Sequence, residues 1–413
     1  MSDNQASRGE FARGWRVLVA SSLGVACGAS PVPFNSLGSF TLPVTQEFGW
    51  GRGEMQLAIM WFTVAVVLTV PFVGALADRM GVRRVAIGTL ILFGVCFATI
   101  GLTPASLPVF YLLWFINGAL GGGSTPVTWT RAVNAWFQRK RGIALAATLL
   151  GTGLTGMFLP TLATWLIGQV GWRWAYAFVA LLPLGLALPF ALAWFREPPR
   201  IAGHAEQGDP RDEGFTLAEA ARSYRFWVLA FSVFVVAVGV GGSITNFQPL
   251  LADHGFSAAH AARIAGVIGL SVVAGRLIAG YLIDHWWAPG ITFPMLVLPA
   301  LACVLLAQAQ VSADVAYFCA ACIGLAAGAE TDLVAFLTAR YFGLRHYGRI
   351  YGVQYSGFGL ASGISPWLFG RVYDMTGSYR LILFVASAFF FMGAVLLLTM
   401  GRYPRTFATQ KSA

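Results

Sequence analysis

Long apolar stretches, each bounded by short polar turns, run through almost the whole chain. A membrane-spanning helix needs roughly 20 mostly apolar residues, and twelve stretches reach that length. We predict spans at about 15–37, 54–77, 85–103, 107–137, 142–168, 174–195, 226–252, 259–283, 290–309, 313–341, 348–371 and 380–401. Six spans come before residue 196 and six after residue 225. The pattern predicts an all-α polytopic membrane protein with twelve transmembrane helices.

The second group of six spans repeats landmarks of the first at a separation of 206 positions. The motif EFGW, Glu47 to Trp50, corresponds to DHGF, Asp253 to Phe256. The other matched pairs are Gly74 with Gly280, Asp78 with Asp284, Gly142 with Gly348, Pro160 with Pro366 and Gly171 with Gly377. Repeats at a fixed separation indicate duplicated structural units. We therefore predict two pseudo-symmetric six-helix halves.

This repeat divides the chain into five predicted parts. They are a cytoplasmic tail over 1–14, an N-terminal half over 15–195, a cytoplasmic linker over 196–225, a C-terminal half over 226–401 and a cytoplasmic tail over 402–413. The linker is rich in Pro, Gly and charge, and we expect a short amphipathic helix near Leu217 to Arg225.

The charges support this topology. The chain is 57% hydrophobic and only 11% charged, yet its net charge is +10. Of the cationic side chains, 20 fall on the side of the tails and linker and 5 on the other side, the positive-inside pattern of membrane proteins. We therefore predict cytoplasmic termini and no nucleic-acid partner. With 25 Arg against 2 Lys, we predict a multi-pass protein of a bacterial cytoplasmic (inner) membrane.

Enzymatic chemistry finds no support in the residue pattern. The CAAC motif at Cys319 and Cys322 lies within a predicted span and lacks the further ligands that a metal site needs, so we interpret it as packing. Nucleophile, base and orienting group do not occur together. We predict no enzyme activity, no metal and no cofactor.

Polar residues beside breaks in the first and seventh spans are the first candidate ligands. Pro31 and Pro33 precede Asn35, and a glycine-rich stretch at 239–242 precedes Asn246 and Gln248. Breaks at corresponding places in two halves are typical of a transporter's central site. The alternative is a packing kink whose polar groups are satisfied by neighbouring backbone.

Two arginines lie inside predicted spans. Arg276 is eight residues before Asp284, which places it roughly 12 Å inside the cytoplasmic end at 1.5 Å per residue. A cation at that depth normally faces a water-filled cavity or an acidic partner, so we predict that Arg276 contacts substrate. Arg131 lies nearer its cytoplasmic end, where it assists substrate binding, forms a gate or extends to the interface.

The tenth span holds two acidic residues, Glu330 and Asp332. Two positions apart on a helix, they point about 200° apart, so we expect only one to face a cavity. One is predicted to pair with Arg276 or Arg131 and the other to carry a proton. A purely structural ion pair is the alternative. In the eleventh span, Tyr355 is a further candidate for hydrogen bonding to substrate.

The loop GALADRMGVRR, with the twelve spans and the repeat, resembles the major facilitator superfamily. The resemblance implies a cytoplasmic latch in which Gly74 lets the second and eleventh helices touch and Asp78 begins a helix, where the helix dipole favours it. The implied latch residues are Gly74, Asp78, Arg79, Gly81, Arg83, Arg84 and, in the other half, Asp284.

Within that superfamily the chain resembles the monocarboxylate and oxalate/formate exchanger branch. The resemblance rests on Trp136, Phe137, Arg139 to Arg141, the glycine-rich fifth span and, in the eighth span, Gly275 and Arg276. It implies that Arg276 binds a substrate carboxylate, a task suited to a guanidinium fork. Asn35 stands where some relatives have a lysine, and the eleventh span has no lysine, which disfavours a dicarboxylate.

The predicted function is secondary active transport of a small organic anion, a monocarboxylate, by alternating access and with proton coupling. Trp61, Trp114 and Trp129 suggest an aromatic substrate. The expected partners are the organic anion, a proton and the lipid bilayer, with the protein acting as a monomer. The alternatives are efflux of amphipathic drugs, with Arg276 serving only as a partner of Asp332, and a sensor that kept the transporter fold.

Overall fold

The computed structural model describes residues 2–137, 141–196, 214–343 and 345–404, without the side chains of 2–8, 10, 71, 78, 135, 141, 142, 284 and 331. The α-helices of these ranges are α1 (Ser2–Ala26), α2 (Pro31–Phe48), α3 (Arg52–Met80), α4 (Val82–Thr99), α5 (Leu107–Gly121), α6 (Pro126–Trp136), α7 (Arg141–Val179), α8 (Leu188–Trp194), α9 (Leu217–Arg222), α10 (Tyr224–Asp253), α11 (Ala258–His285), α12 (Ala288–Leu306), α13 (Ala313–Phe342), α14 (Tyr347–Thr376) and α15 (Arg380–Leu398). Short 3₁₀ turns follow α4 and α5.

These helices account for the twelve predicted membrane crossings. Within the described residues, ten helical stretches are long and apolar enough to span a membrane. The eleventh crossing, α14, is as long as these stretches but less apolar. The sixth crossing is divided among three helical segments. It begins in α7 beyond the non-helical Gly171, continues through a π-helical turn at Leu182–Ala187 and ends in α8. The predicted all-α, twelve-helix fold is confirmed.

The backbone confirms the predicted duplication at the turns. Gly49 and Gly255 have φ values of 69° and 85°, and Gly171 and Gly377 have φ values of 77° and 70°. Both pairs are 206 positions apart. A positive φ is unfavourable for residues with a Cβ, so each half uses glycine at the same two turns.

Close glycine contacts join the two halves. Helix α7 of the first half crosses α11 of the second, and a Cβ on Gly269 would overlap the backbone of Gly156 and Met157. Helix α3 crosses α14 in the same way, because a Cβ on Gly370 would lie 2.6 Å from the Gly53 nitrogen. Small residues at such crossings let helix backbones approach in a membrane.

The predicted linker lies largely outside the described residues, which omit 197–213. Its end forms α9, which confirms the short helix expected near Leu217. Thr216 caps α9, and its backbone N–H donates to the Glu219 carboxylate. This hydrogen bond holds the pKa of Glu219 below its ordinary value.

Candidate functional site

A cavity of about 520 Å³ lies between the two halves. Its walls come from α2 and the turn before it, α6 and α7 of the first half and from α10, α11, α13 and α14 of the second. The volume falls within the range typical of small-molecule sites. Five of the predicted site residues line it: Asn35, Arg276, Glu330, Asp332 and Tyr355.

Arg276 connects the two walls of the cavity. Its Nε lies 3.1 Å from Oδ2 of Asp332 on α13, within its own half. Its Nη1 donates a 2.9 Å hydrogen bond to the carbonyl oxygen of Leu149 on α7, in the other half. The side chain is 11% exposed. The guanidinium therefore contacts the Asp332 carboxylate of one half and the Leu149 carbonyl oxygen of the other. If the halves move relative to each other, these contacts must change.

Both acids of α13 reach the cavity lining, so the expectation that only one could was wrong. Ala327 and Ala335 occupy the middle of the cavity-facing side of α13, and Glu330 and Asp332 flank them. The small alanines leave space in the middle, and the acids therefore border the cavity from opposite edges of the helix.

Glu330 has an apolar setting. It is 7% exposed, and within the described part of the chain its Oε1 accepts no hydrogen bond. On its other side lies a small void lined mainly by apolar residues such as Leu229, Val233 and Leu333. A buried carboxyl group without a hydrogen-bonded partner is costly when ionised, which makes Glu330 suited to holding a proton.

Asn35 and Tyr355 line the cavity from different halves, Asn35 from α2 and Tyr355 from α14. The Asn35 amide nitrogen donates to the carbonyl oxygen of Pro31, one turn earlier in α2. Tyr355, in the middle of α14, is 37% exposed. Both side chains present polar groups to the cavity that Arg276 lines.

Asn246 and Gln248 do not line this cavity. The Asn246 Oδ1 accepts hydrogen bonds from Gln56 Nε2 at 2.8 Å and from the Tyr379 hydroxyl at 3.0 Å. The Gln248 Nε2 donates to the Ser39 hydroxyl at 2.9 Å. Gln56 and Ser39 belong to the first half, so these buried amides fasten the halves together beyond the end of the cavity.

The predicted break of the seventh span is wrong. Helix α10 runs unbroken through Gly239–Gly242, whereas the first crossing is interrupted by a turn at Cys27–Ser30. The α10 glycines serve packing: a Cβ on Gly239 would lie 2.8 Å from the Phe390 ring, and one on Gly241 would lie 2.5 Å from the Ser365 hydroxyl.

Charged residues also join the halves at the end of the molecule where Asn246 and Gln248 lie. We define the clamp as Arg52, Gly53, Asp253 and Asp374. Both terminal nitrogens of Arg52 lie 2.7 Å from the Asp253 carboxylate. Asp374, at the end of α14, accepts hydrogen bonds from the backbone N–H groups of Arg52 and Gly53 at 2.8 Å each, and so caps α3 from the other half.

The clamp was not predicted from the sequence. Arg52 was counted only as one of the few cations on its side of the membrane, and Asp253 only as part of the DHGF repeat. The available signal was an acid and a base of opposite halves, each at the start or end of a span on that side. The distance between them depends on how the halves pack, which the sequence does not state.

The opposite end, which carries the implied latch, is open. Among the described residues, no atom lies within 4 Å of a Cβ placed on Gly74 or Gly280. The resemblance had implied that helices α3 and α14 touch at Gly74, and in this structure they do not. Asp78 lies in the last turn of α3 and α4 begins at Val82, so the expectation that Asp78 starts a helix was wrong.

The other latch residues surround the turn between α3 and α4. Gly81 has a φ of 89° and permits that turn. Arg83 donates a 2.7 Å hydrogen bond to the carbonyl oxygen of Leu192, while Arg79 and Arg84 are exposed. The side chains of Asp78 and Asp284 lie outside the described residues, as do Arg139 and Lys140 and the side chain of Arg141.

Arg131 and the three tryptophans lie apart from the central cavity. Arg131 is exposed and borders a small pocket beside Gly74 and Ala77. Trp114 and Trp129 are fully buried within the first half, and Trp61 is 44% exposed but does not line the cavity. These tryptophans therefore give no support to an aromatic substrate.

Comparison with known proteins agrees with this architecture. A probable sulfoacetate transporter of Cupriavidus necator is 24% identical over 85% of this chain and 86% of its own length. Monocarboxylate transporter 13 of Rattus norvegicus is 25% identical over 81% of this chain and 76% of its own length.

The fold also matches a solved structure. A bacterial homolog of the human lysosomal transporter Spinster, in an inward-facing and unoccupied conformation, superimposes with a TM-score of 0.67 at 18% identity. The match covers 94% of this chain and 98% of that one. The model of the Major Facilitator Superfamily matches residues 33–366, and the chain therefore belongs to that superfamily of multi-pass membrane transporters.

Proposed function

We infer that this protein is a secondary active transporter of a small organic anion, a monocarboxylate, with a proton as the coupling ion. One observation carries the proposal: Arg276 lies in the cavity between the halves and contacts both of them. A ligand that binds this guanidinium changes the contacts of both halves at once. Alternating access around a central site requires such a link.

The guanidinium fork suits a carboxylate. Arginine binds carboxylates through two parallel hydrogen bonds, and the pairing is stronger than between neutral groups. Asn35 and Tyr355, which line the same cavity, are placed to orient the substrate. The names of two relatives, which concern a monocarboxylate and sulfoacetate, support an anion as cargo.

Asp332 supplies a physical basis for proton coupling. Its carboxylate already occupies the Nε side of Arg276, so a substrate carboxylate competes with it. A proton on Asp332 removes its charge and releases Arg276 for the substrate. The site then gains one proton and one anion together, and no net charge. Glu330 offers a second carboxyl group for a proton in the same cavity.

The predicted topology implies an inward-open state. The open end of the molecule is the end that carries both tails and most of the cationic residues, which the positive-inside pattern assigns to the cytoplasm. Asn246 and Gln248, first expected to bind substrate, act in this proposal as fasteners of the outer end. Arg131, which borders the open end, acts as a gate residue. We assign the protein to a bacterial inner membrane, as a monomer.

The test is thermal unfolding of the detergent-purified protein with a panel of monocarboxylic acids and their neutral amides. A ligand at 100 times its dissociation constant stabilises the folded state by roughly 2.7 kcal/mol. We expect acids to raise the unfolding temperature and amides not to. Arg276→Ala should abolish the acid effect. Arg263→Ala is the matched control, because Arg263 lies on the same helix but is exposed.

Proton coupling is tested by uptake into proteoliposomes. An inward-directed proton gradient should drive uptake by the unmodified protein, and Asp332→Asn should retain exchange of acids but lose the response to the gradient. Uptake of any acid also excludes the sensor. An Asp332→Asn protein that still follows the gradient would remove Asp332 from the coupling mechanism.

Efflux of amphipathic drugs remains a second candidate, since the contact between Arg276 and Asp332 is what it predicts. Under that alternative the pair is structural. Amphipathic cations, rather than acids, would then raise the unfolding temperature, and transport would survive Arg276→Ala together with Asp332→Ala.

A further inference from the structure

Four aromatic rings follow one face of α14. Tyr347, Tyr351 and Tyr355 are spaced by four residues, and Phe358 follows three residues later. Their ring centroids are separated by 5.6, 5.6 and 5.3 Å, with planes inclined by 7°, 29° and 27°. Spacings of three and four place side chains on the same side of a helix. The result is a continuous stack that we call the aromatic strip.

The inner part of the aromatic strip belongs to the cavity wall. Tyr351, Tyr355 and Phe358 all line the central cavity, and Phe34 of α2 lines it from the other half. Aromatic rings of both halves therefore border the same space. Trp61, Trp114 and Trp129 do not line this cavity.

The middle of the aromatic strip shares the cavity with the charged groups. Tyr351 and Tyr355 line it together with Arg276, Glu330 and Asp332. A ligand that contacts both features needs a flat apolar body and an anionic group attached to it. A small aliphatic acid binds Arg276 but makes no aromatic contact with the rings that line the cavity.

We propose that the substrate is an aromatic monocarboxylate, whose ring packs between Phe34 and the Tyr355–Phe358 part of the aromatic strip while its carboxylate binds Arg276. This inference rests on the proposed function and narrows its substrate class. Offset-stacked and edge-to-face aromatic pairs contribute beyond the area they bury. Each such pair should change the dissociation constant roughly two- to tenfold.

The experiment compares benzoate, cyclohexanecarboxylate and benzamide by calorimetric titration of the full-length protein in detergent. The first two acids have similar size and the same charged group, so their ratio isolates the contribution of the flat ring. We expect benzoate to bind roughly two- to tenfold more tightly than cyclohexanecarboxylate, and benzamide not to bind.

Variants locate the effect. Phe358→Leu and Tyr355→Leu should each lower the affinity for benzoate more than the affinity for cyclohexanecarboxylate, and so bring the ratio of the two affinities close to one. Tyr355→Phe keeps the ring and should keep the preference. Phe391→Leu is the matched control, since Phe391 lies on the outer surface of α15 and is 52% exposed.

The outcomes separate the two levels of the proposal. Equal binding of both acids, lost together in Arg276→Ala, overturns the aromatic substrate and leaves the organic-anion function standing. A preference for benzoate that survives Phe358→Leu and Tyr355→Leu also overturns it. Binding of neither acid also overturns the aromatic substrate, and the proposed function falls with it only if no acid of the wider panel raises the unfolding temperature.

Discussion

The turns EFGW and DHGF occupy equivalent places in the two halves, yet their acids pair differently. Glu47 accepts a 2.8 Å hydrogen bond from Arg173 of its own half. Asp253 instead binds Arg52 of the other half. The position equivalent to Arg173, 206 residues later, is Tyr379. Because Tyr379 brings no positive charge to the second turn, the Asp253 carboxylate is left to bind a cation across the interface.

One difference between the repeats thus decides whether a charge is neutralised within a half or between halves. Tyr379 reinforces the second arrangement, because its hydroxyl accepts from Arg52 and donates to Asn246. The clamp end is closed by these contacts. The latch end has no comparable contact around Gly74 and Gly280 within the described residues.

The largest expected effect comes from separating α3 and α14 at the clamp. Gly370→Val places a side chain against the Gly53 backbone, where a Cβ would lie 2.6 Å from the nitrogen. Overpacking of this kind typically costs about 1–3 kcal/mol, so the halves should part at this end. A cysteine replacing Thr63, which is buried on α3, should then react faster with a water-soluble maleimide.

Gly74→Val is the matched control, because it lies on the same helix with open space around it. It should leave the labelling rate unchanged. Equal rates in the two variants would show that the α3–α14 contact does not hold the clamp end closed.

A smaller effect is expected from the cap that Asp374 places on α3. Asp374→Asn leaves one carbonyl oxygen where two carboxylate oxygens now accept backbone N–H groups. Loss of a helix cap typically costs about 0.5–2 kcal/mol. Thermal unfolding should show this loss, whereas Asp314→Asn, in the exposed first turn of α13, should cost less. Equal losses would contradict a role of Asp374 between the halves.

The smallest expected effect is a difference in coupling energy between the ion pairs at the EFGW and DHGF turns. Double-mutant cycles to alanine should give a larger coupling energy for Arg52 with Asp253 than for Arg173 with Glu47. The reason is exposure, since the arginine side chains are 12% and 40% exposed in the two pairs. Exposed pairs typically contribute about 0.2–1 kcal/mol, so the difference is expected within that range. Equal coupling would mean that burial of Arg52 adds nothing.

The sequence predicted those features that depend on one helix at a time. Twelve spans, the duplication and the depth of Arg276 follow from apolar length, repeated turns and helix rise. The position of Asp332 beside Arg276 was one of several pairings left open, because two residues on α11 and α13 can meet only at one rotation of each helix. Asn246 and Gln248 were assigned to the cavity for the same reason: a helical position alone does not tell which neighbour a side chain meets.

The number of crossings, the two halves and the deeply placed cation follow from the amino-acid sequence, because they depend on local hydropathy and spacing. The closed end, the clamp residues and the aromatic rings that line the cavity emerge only when the helices are packed. Those features depend on contacts between helices far apart in the chain. In a membrane, apolar faces pack against lipid and against each other with similar free energy, so small-residue crossings and polar pairs decide the arrangement.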